Sequence, residues 1–317
     1  MVESIFNYTL IHAALRLSTP ILMAALAVII SQQAGVLNLA VEGCMTLGAF
    51  MAICISYLTM NWFAALTASV IIGLLVSIVV GIAHIKFKAD IFAVGMTINI
   101  FAVAITNFLL SALFNVTGSF IPDKLASLPR LTIGFLEKKP VLNSIISGYS
   151  FFEIGAILMV FMLHFFLFKT SQGLRLRSVG LNELAAETAG INIDKTKFAA
   201  LLFSGIVGGM AGAHLSLGYT NFFTPGMVSG RGFMGIAAMF FSGGYPIISW
   251  LACLLFGLID SIGSRLQAYG LPAQFILMLP YVTTICVLVL SMWRRIRKNR
   301  RLSSSLTAPG ELYGRQK

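Results

Sequence analysis

Residues 63–84 read FAALTASVIIGLLVSIVVGIAH, a run of 22 residues that contains no aspartate, glutamate, lysine or arginine. A helix needs about 20 mostly apolar residues to cross the hydrocarbon core of a bilayer. Within that core a helix satisfies every backbone hydrogen bond inside one segment. This run therefore predicts a membrane-spanning helix, and it decides the fold class of the chain.

Further apolar runs of spanning length recur along the 317 residues. They lie at about 12–31, 36–57, 91–114, 151–169, 198–219, 247–263 and 273–293. A shorter run at 232–244 is either a thin span or a re-entrant segment. We expect an all-α integral membrane protein with about nine transmembrane helices, forming a single transmembrane domain over residues 1–317.

The composition agrees with a membrane protein. The chain is 58% hydrophobic and only 10% charged, whereas soluble domains carry about 25% charged residues. A soluble fold this apolar could not cover its surface with polar groups. The cysteines lie in apolar runs without CxxC spacing, which indicates packing residues rather than metal ligands or disulfides; they are Cys44, Cys54, Cys253 and Cys286.

The basic residues predict the orientation. Short cytoplasmic loops are rich in lysine and arginine, so the loop with Lys86 and Lys88, the loop 170–197 and the tail 294–317 should be cytoplasmic. Because the loop 170–197 and the tail lie on the same side, the chain must cross the membrane an even number of times between them. Three clear spans lie there, so 232–244 is counted as a fourth crossing. This gives nine spans, with the N-terminus outside. The loop 115–150 is then external. The tail suits anionic lipid better than nucleic acid.

The loop 170–197 predicts a short helix. Asn182 can cap it, Glu183 suits its first turn, and Gly190 suits the left-handed residue that ends it. The expected helix, 183–189, is about two turns long and is unstable alone, so it must contact the bundle or a partner. Four residues at helical spacing form one narrow face: Leu181, Leu184, Ala185 and Thr188.

Four stretches carry a resemblance to a known family: GVLNLAVEGCMTLGAF (35–50), RSVGLNELAAETAGIN (177–192), LLFSGIVGGMAGAHLSLGY (201–219) and GRGFMGIAAMFFSGG (230–244). On them the chain resembles ABC transporter permease subunits of the simple-sugar, nucleoside and branched-chain amino acid family. It is most similar to the branch of nucleoside importers linked to basic membrane proteins. The resemblance extends over about residues 12–113 and 151–292.

In this family a cytoplasmic loop with a Glu-Ala-Ala…Gly pattern carries a coupling helix that lies in a groove of the ATPase subunit. Ala185, Ala186 and Gly190 match that pattern in register, while Leu184 stands where the glutamate is usual. The resemblance implies that the ATPase-coupling residues are Gly180, Asn182, Glu183, Leu184, Ala185, Ala186, Glu187 and Gly190.

The resemblance also implies partners and a location. The chain has no G-x-x-x-x-G-K-[ST] phosphate-binding loop, so a separate ATPase subunit must bind any ATP that drives it. We therefore expect a transport subunit that is not an enzyme and has no catalytic residues, cofactor or metal. Its expected partners are the ABC ATPase, an extracytoplasmic substrate-binding protein, membrane lipid and a second permease subunit, with a heterodimer favoured over a homodimer. Its expected location is the bacterial cell membrane.

A few polar residues inside the apolar runs are candidates for the translocation path. A charged side chain in the membrane is costly and usually faces protein or water. Asn38 and Glu42, four apart, should share a helix face and line or shape the path, or Glu42 should pair with Arg16 or another internal partner. Asn99 should hydrogen-bond a solute or a neighbouring helix. Asp260 should face the interior.

Two further features are interpreted as structural. Small residues let membrane helices approach closely, and one such face is formed by Gly205, Gly208, Gly209 and Gly212. His214 is expected to be a packed residue rather than a ligand.

Several functions stay open. A nucleoside importer working by alternating access leads, and the same machine carrying ribose or galactose is its nearest alternative, because no residue distinguishes the two cargoes. An ion-coupled secondary transporter should carry acidic or histidine relays and internal repeats. Here Glu42, Glu153 and Asp260 are a sparse set. An intramembrane enzyme is weakest, since H-E-x-x-H and G-x-S-x-G are absent from the sequence.

Overall fold

The computed structural model describes residues 8–122, 124–131 and 148–267, together with the isolated positions 278, 282, 289 and 293. The helices in this part of the chain are α1 (Tyr8–Gln33), α2 (Val41–Thr59), α3 (Trp62–Gly81), α4 (Ile91–Phe114), α5 (Phe151–Lys169), α6 (Ser171–Leu181), α7 (Glu183–Thr188), α8 (Ile193–Ala213), α9 (Arg231–Ser242) and α10 (Pro246–Gln267). Two of them continue as π-helical turns, α3 through Ile82–Lys86 and α8 through His214–Thr220.

Seven helices are long and apolar enough to cross a membrane, counted over the described ranges. They are α1 to α5, α8 and α10, which confirms the helices predicted from six of the apolar runs and, with a later start, the one predicted at 36–57. The segment 232–244 forms α9, whose 12 residues extend about 18 Å, less than the hydrocarbon thickness of about 30 Å. The run 273–293 lies outside the described residues apart from four isolated positions, so nine spans stay a prediction.

The helix α2 begins later than the sequence predicts. The apolar run starts near residue 36, but α2 starts at Val41. Gly35 adopts a left-handed backbone conformation with φ +81°, which glycine tolerates without steric cost. The Asn38 side chain accepts a hydrogen bond from the Ala40 backbone N–H at 3.0 Å, a local bond that competes with helix formation. Residues 34–40 therefore form a non-helical connector inside an apolar sequence.

The helix α1 is the centre of the bundle. Every residue from Ile21 to Ile29 exposes 2% or less of its surface. A helix that is apolar all round is one that is enclosed by other elements, and here α8, α9 and α10 surround α1. Of the segments described below, α6 and α9 contact this helix directly.

Glycines bring α8 into backbone contact with α2 and α3. A Cβ atom added at Gly205 would lie 2.3 Å from the Gly73 carbonyl oxygen of α3, and one at Gly209 would lie 2.1 Å from the Ser69 carbonyl oxygen. On the neighbouring side, a Cβ at Gly212 would lie 2.1 Å from the Met45 carbonyl oxygen of α2. The predicted small-residue face is confirmed as a close-packing surface.

The outer faces of the bundle are apolar. On α4 and α5 the outward side chains are large hydrophobic groups such as Ile100, Phe108 and Phe165, each more than 60% exposed. Exposure of this extent would be unusual in water and matches contact with lipid. The cysteines among the described residues, Cys44, Cys54 and Cys253, are buried and unpaired, in agreement with a packing role; Cys286 lies outside the described residues.

Two short strands pair in the segment between α4 and α5. Residues Arg130–Leu131 pair antiparallel with Tyr149–Ser150. Phe120 and Phe223 exchange two backbone hydrogen bonds of 2.7 and 3.0 Å. The loop after α4 is thereby fastened to the connector between α8 and α9.

Candidate functional site

The short helix α7 is capped at both ends by the residues that the sequence predicts. The Asn182 side chain accepts a hydrogen bond from the Ala185 N–H at 3.1 Å. Gly190 is left-handed, with φ +79°. Its N–H donates to the Glu187 carbonyl at 2.9 Å, and the Ile191 N–H donates to the Ala186 carbonyl at 3.0 Å. These two hydrogen bonds form a Schellman motif.

One face of α7 holds it to the bundle and the other is open. Ala186 is 2% exposed and packs inward. Glu183 forms a 2.7 Å salt bridge with Lys197 of α8. Leu184 is 75% exposed and Leu181, at the end of α6, is 86% exposed. The predicted face of Leu181, Leu184, Ala185 and Thr188 is therefore exposed at all four positions, and a helix of six residues with such a face is suited to docking on a partner.

A contact at Gly180 joins this segment to the centre of the bundle. A Cβ atom at Gly180 would lie 2.3 Å from the Gln33 carbonyl oxygen and 2.9 Å from the Gly35 nitrogen. The end of α6 thus abuts the end of α1 and the connector to α2. Gln33 in turn donates a hydrogen bond to the Gly244 carbonyl, beyond α9, at 3.2 Å. These contacts link the end of α6 to the end of α1, to the connector before α2 and to the residues that follow α9.

Asn38 and Asn99 hold the start of α2. Asn38 is fully buried, and its amide donates to the Ser204 hydroxyl of α8 at 2.9 Å. The Asn99 amide donates to the Leu39 carbonyl at 2.9 Å, while its oxygen accepts from the Gly43 N–H at 2.8 Å. Because Asn38 precedes α2, the prediction that Asn38 and Glu42 share a helix face is wrong. Asn99 bonds the neighbouring element, one of the two outcomes expected for it.

Glu42 is the first acidic residue of α2 and caps the start of α9. One carboxylate oxygen accepts the Gly230 N–H at 2.8 Å, and the other accepts the Gly232 N–H at 2.7 Å. A carboxylate is favoured there because the first backbone N–H groups of a helix lack intrahelical partners. A Cβ at Gly232 would lie 2.9 Å from both the Cα and the backbone nitrogen of Glu42, so a side chain there would force the start of α9 away from α2. Glu42 has an internal partner, and that partner is not Arg16.

Asp260 completes a line of charges across three helices. The Arg231 guanidinium, at the start of α9, forms a 3.0 Å salt bridge with Asp260 of α10. The same guanidinium donates to the Met227 and Val228 carbonyls at 3.1 and 3.3 Å. Asp260 therefore faces the interior, as predicted. Glu42, Arg231 and Asp260 together fix the connector between α8 and α9 against α2 and α10.

A second buried charge cluster was missed by the sequence reasoning. Glu153 of α5 lies 3.6 Å from the Arg16 Nε of α1 and 3.3 Å from the His214 Nε2, and it accepts a hydrogen bond from Ser150. Arg16 also donates to the Gly218 carbonyl at 3.0 Å. His214 is packed and fully buried, as expected. Charged residues are rare within the spans and need partners there. The scarcity of Arg16 and Glu153 in the apolar sequence was the signal that could have suggested their pairing.

The described residues contain no group of histidine, cysteine, aspartate or glutamate side chains arranged to hold a metal ion. Backbone-capping carboxylates and exposed apolar residues do not form a catalytic arrangement of nucleophile and base. The geometry instead provides a short helix with an exposed apolar face, a set of contacts leading into the bundle, and charges that position non-helical connectors.

Comparison with known proteins identifies relatives over nearly the whole chain. Residues 10–288 match the model of a family described as branched-chain amino acid transport system / permease component. The chain is 33% identical to the nucleoside ABC transporter permease protein NupC of Lactococcus lactis subsp. cremoris, over 88% of this chain and 90% of the relative. It is 34% identical to the guanosine ABC transporter permease protein NupQ of Bacillus subtilis, over 88% and 89%.

A solved structure has a similar fold. It is an ABC transporter, described as of the metal-chelate type, in an inward-facing conformation. The TM-score is 0.51 at 13% identity, and the alignment covers 90% of this chain and 85% of that chain. At this level of identity the likeness concerns the fold alone.

Proposed function

The chain belongs to the family of branched-chain amino acid transport system permease components, and from this membership we propose that it is the multi-pass permease subunit of an ABC importer for nucleosides. The observation that supports a nucleoside as the substrate is the sequence identity of 33 and 34%, over 88% of the chain, to permeases named for nucleoside and guanosine transport. The family description names a different cargo, but it applies to a broader group than these two relatives.

The proposed contact with the ATPase is α7 and its flanks, the coupling residues predicted from Gly180 to Gly190. Its support is the exposed pair Leu181 and Leu184 beside the inward-packed Ala186. ATP binding would close the ATPase subunits and move α7. The close approach of Gly180 to the connector after α1 would carry that motion to α2 and α9 and produce alternating access. The ATP-hydrolysing chemistry belongs to the separate ATPase chain.

The proposed orientation has the N-terminus outside and nine spans, with the segments 170–197 and 294–317 in the cytoplasm and 115–150 outside. The contacts of Gly180 with Gln33 and of Gln33 with Gly244 bring the ends of α6, α1 and α9 together, and the proposed orientation assigns all three ends to the cytoplasmic side. The Phe120–Phe223 pairing lies between connectors assigned to the other side. The proposed location is the bacterial cell membrane.

The proposed translocation path is bordered by Asn38, Glu42, Asn99 and Asp260. The buried amides of Asn38 and Asn99 and the capping carboxylate of Glu42 favour a role in shaping the path, because their polar atoms bond the protein itself. We propose that they fix the positions at which α2 and α9 begin, well inside the bundle. The pore itself would require a second permease subunit, with a heterodimer favoured, and an external binding protein would deliver the substrate.

Uptake by the reconstituted importer tests the proposal. With the ATPase, the partner permease and internal ATP present, proteoliposomes should accumulate a radiolabelled nucleoside from its binding protein. Dissipating ion gradients should leave uptake unchanged. Excess ribose or galactose should not compete. Uptake driven by an ion gradient without ATP would contradict the ABC mechanism, and retention of a free sugar by the binding protein would contradict the nucleoside cargo.

Replacing Gly190 tests the coupling role. A Cβ atom there would meet no atom within 4 Å, so the main effect of the change is on the left-handed backbone at φ +79°. That conformation costs L-residues about 1–2 kcal/mol. Gly190→Val should therefore distort the end of α7 and lower uptake per ATP hydrolysed by about tenfold, while the protein remains in the membrane.

Gly190→Asn is the matched control, since asparagine adopts the left-handed conformation more readily than other L-residues. It should keep most of the transport. Equal coupling in the valine and wild-type proteins would show that α7 does not transmit the nucleotide cycle.

A further inference from the structure

A cationic cavity lies beside the end of α7. It has a volume of about 420 Å³ and is bounded by the end of α5, by α6 and by the first turns of α8. Arg175 and Lys195 line it, and neither side chain forms a salt bridge with any carboxylate in the described part of the chain. Gln172 and Thr196 add polar groups. We call this cavity the cationic cup.

An apolar groove lies next to the cup along the same helices. It has a volume of about 370 Å³ and runs between α1, α5 and α8. Its walls include Ile30, Met159, Met162 and Phe203. Phe166 lines both the groove and the cup, so the two cavities adjoin. Gly155 leaves the groove open, because a Cβ atom there would meet nothing within 4 Å.

We propose that the cup and groove together bind one anionic glycerophospholipid, with its phosphate headgroup in the cup and an acyl chain in the groove. The cup lies where α5 ends at Lys169 and α8 begins, which is the cytoplasmic membrane surface in the predicted orientation. Anionic lipids are concentrated in that leaflet and are attracted by basic residues close to the membrane. The acidic surface of a partner protein would use the cations but would leave the adjoining apolar groove unexplained.

The lipid would contact the coupling segment directly. Gly190 and Ile191, which end α7, form part of the wall of the cup. A headgroup held by Arg175 and Lys195 would bridge α6 and α8 on either side of α7. The position of α7 would then depend on the lipid as well as on the salt bridge between Glu183 and Lys197.

Lipid retention by the purified full-length chain tests this inference, independently of any transport activity. Native mass spectrometry in a nonionic detergent should detect one phosphatidylglycerol molecule retained in preference to phosphatidylcholine. The double variant Arg175→Gln with Lys195→Gln should reduce that retention by about tenfold, since each basic residue near the surface contributes to lipid attraction. The matched control, Lys86→Gln with Lys88→Gln, removes two exposed cytoplasmic cations from a different loop and should retain the lipid.

A second variant tests the groove. Gly155→Leu adds a side chain at a position where a Cβ atom would meet nothing within 4 Å, and it places a better helix former in α5, so it should fold and yet reduce phosphatidylglycerol retention. Millimolar inorganic phosphate should not displace the lipid. The proposal is overturned if the control variant loses as much lipid as the cup variant, if phosphatidylcholine is retained equally, if Gly155→Leu retains the lipid fully, or if free phosphate displaces it.

Discussion

Replacing Glu42 by alanine should lower the free energy of unfolding of the bundle by about 3 kcal/mol and abolish uptake. The carboxylate accepts hydrogen bonds from both Gly230 and Gly232, and bonds to a charged group contribute about 1.5–3 kcal/mol each. Without it, two N–H groups at the start of α9 lose their partner inside the bundle. The connector before α9 should then move and disturb Arg231 together with Asp260. Thermal unfolding in detergent and uptake by proteoliposomes measure the two effects.

Glu42→Gln separates capping from charge. Glutamine keeps one accepting oxygen, so about half of the destabilisation should remain. Asp194→Ala is the matched control, because Asp194 is an exposed acidic residue in the first turn of α8 and should change stability little. If Glu42→Gln and Glu42→Ala both unfolded at the wild-type temperature but failed to transport, Glu42 would act on the substrate rather than as a cap.

Replacing Gly205 by alanine should prevent the bundle from assembling. The added Cβ would lie 2.0 Å from the Ser77 hydroxyl oxygen and 2.3 Å from the Gly73 carbonyl oxygen. Rotation of Ser77 relieves the first contact, but the second is with backbone and requires α3 and α8 to separate. Overpacking typically costs 1–3 kcal/mol, and a forced shift of two packed helices should exceed about 3 kcal/mol. Yield of monodisperse protein on size exclusion measures the loss.

The same substitution at Gly155 is the control. Gly155→Ala adds one methyl group to α5 where nothing lies within 4 Å, and it should stabilise the helix slightly. A Gly205→Ala protein that is as abundant and as thermally stable as Gly155→Ala would show that α3 and α8 are not in backbone contact.

Features that depend on neighbours along the chain could be predicted from the sequence. The span 63–84 is identified by its own apolarity, because the bilayer requires about 20 apolar residues whatever surrounds them. The ends of α7 follow equally from local chemistry, the Asn182 cap and the left-handed Gly190. The glycines of α8 indicated a close contact from their spacing alone, although not the partner helices.

Features that join distant parts of the chain could not be predicted. Residues 35–40 are apolar enough for a helix, and their departure from one depends on bonds from Asn38 and Asn99 to other elements. Glu42 finds its partners 188 and 190 residues away, and no periodicity encodes that separation. The Arg16–Glu153 contact is of the same kind, since it requires α1 and α5 to be neighbours.

The open face around Leu181 and Leu184 also bears on how the importer is assembled. In the proposed orientation, a copy made in excess of the ATPase would expose these two leucines to the cytosol, and exposed apolar side chains are what chaperones and proteases bind. Orphan subunits would be removed, whereas docked ones would be shielded. The surface proposed to contact the ATPase would in this way also set the ratio of permease to ATPase in the cell.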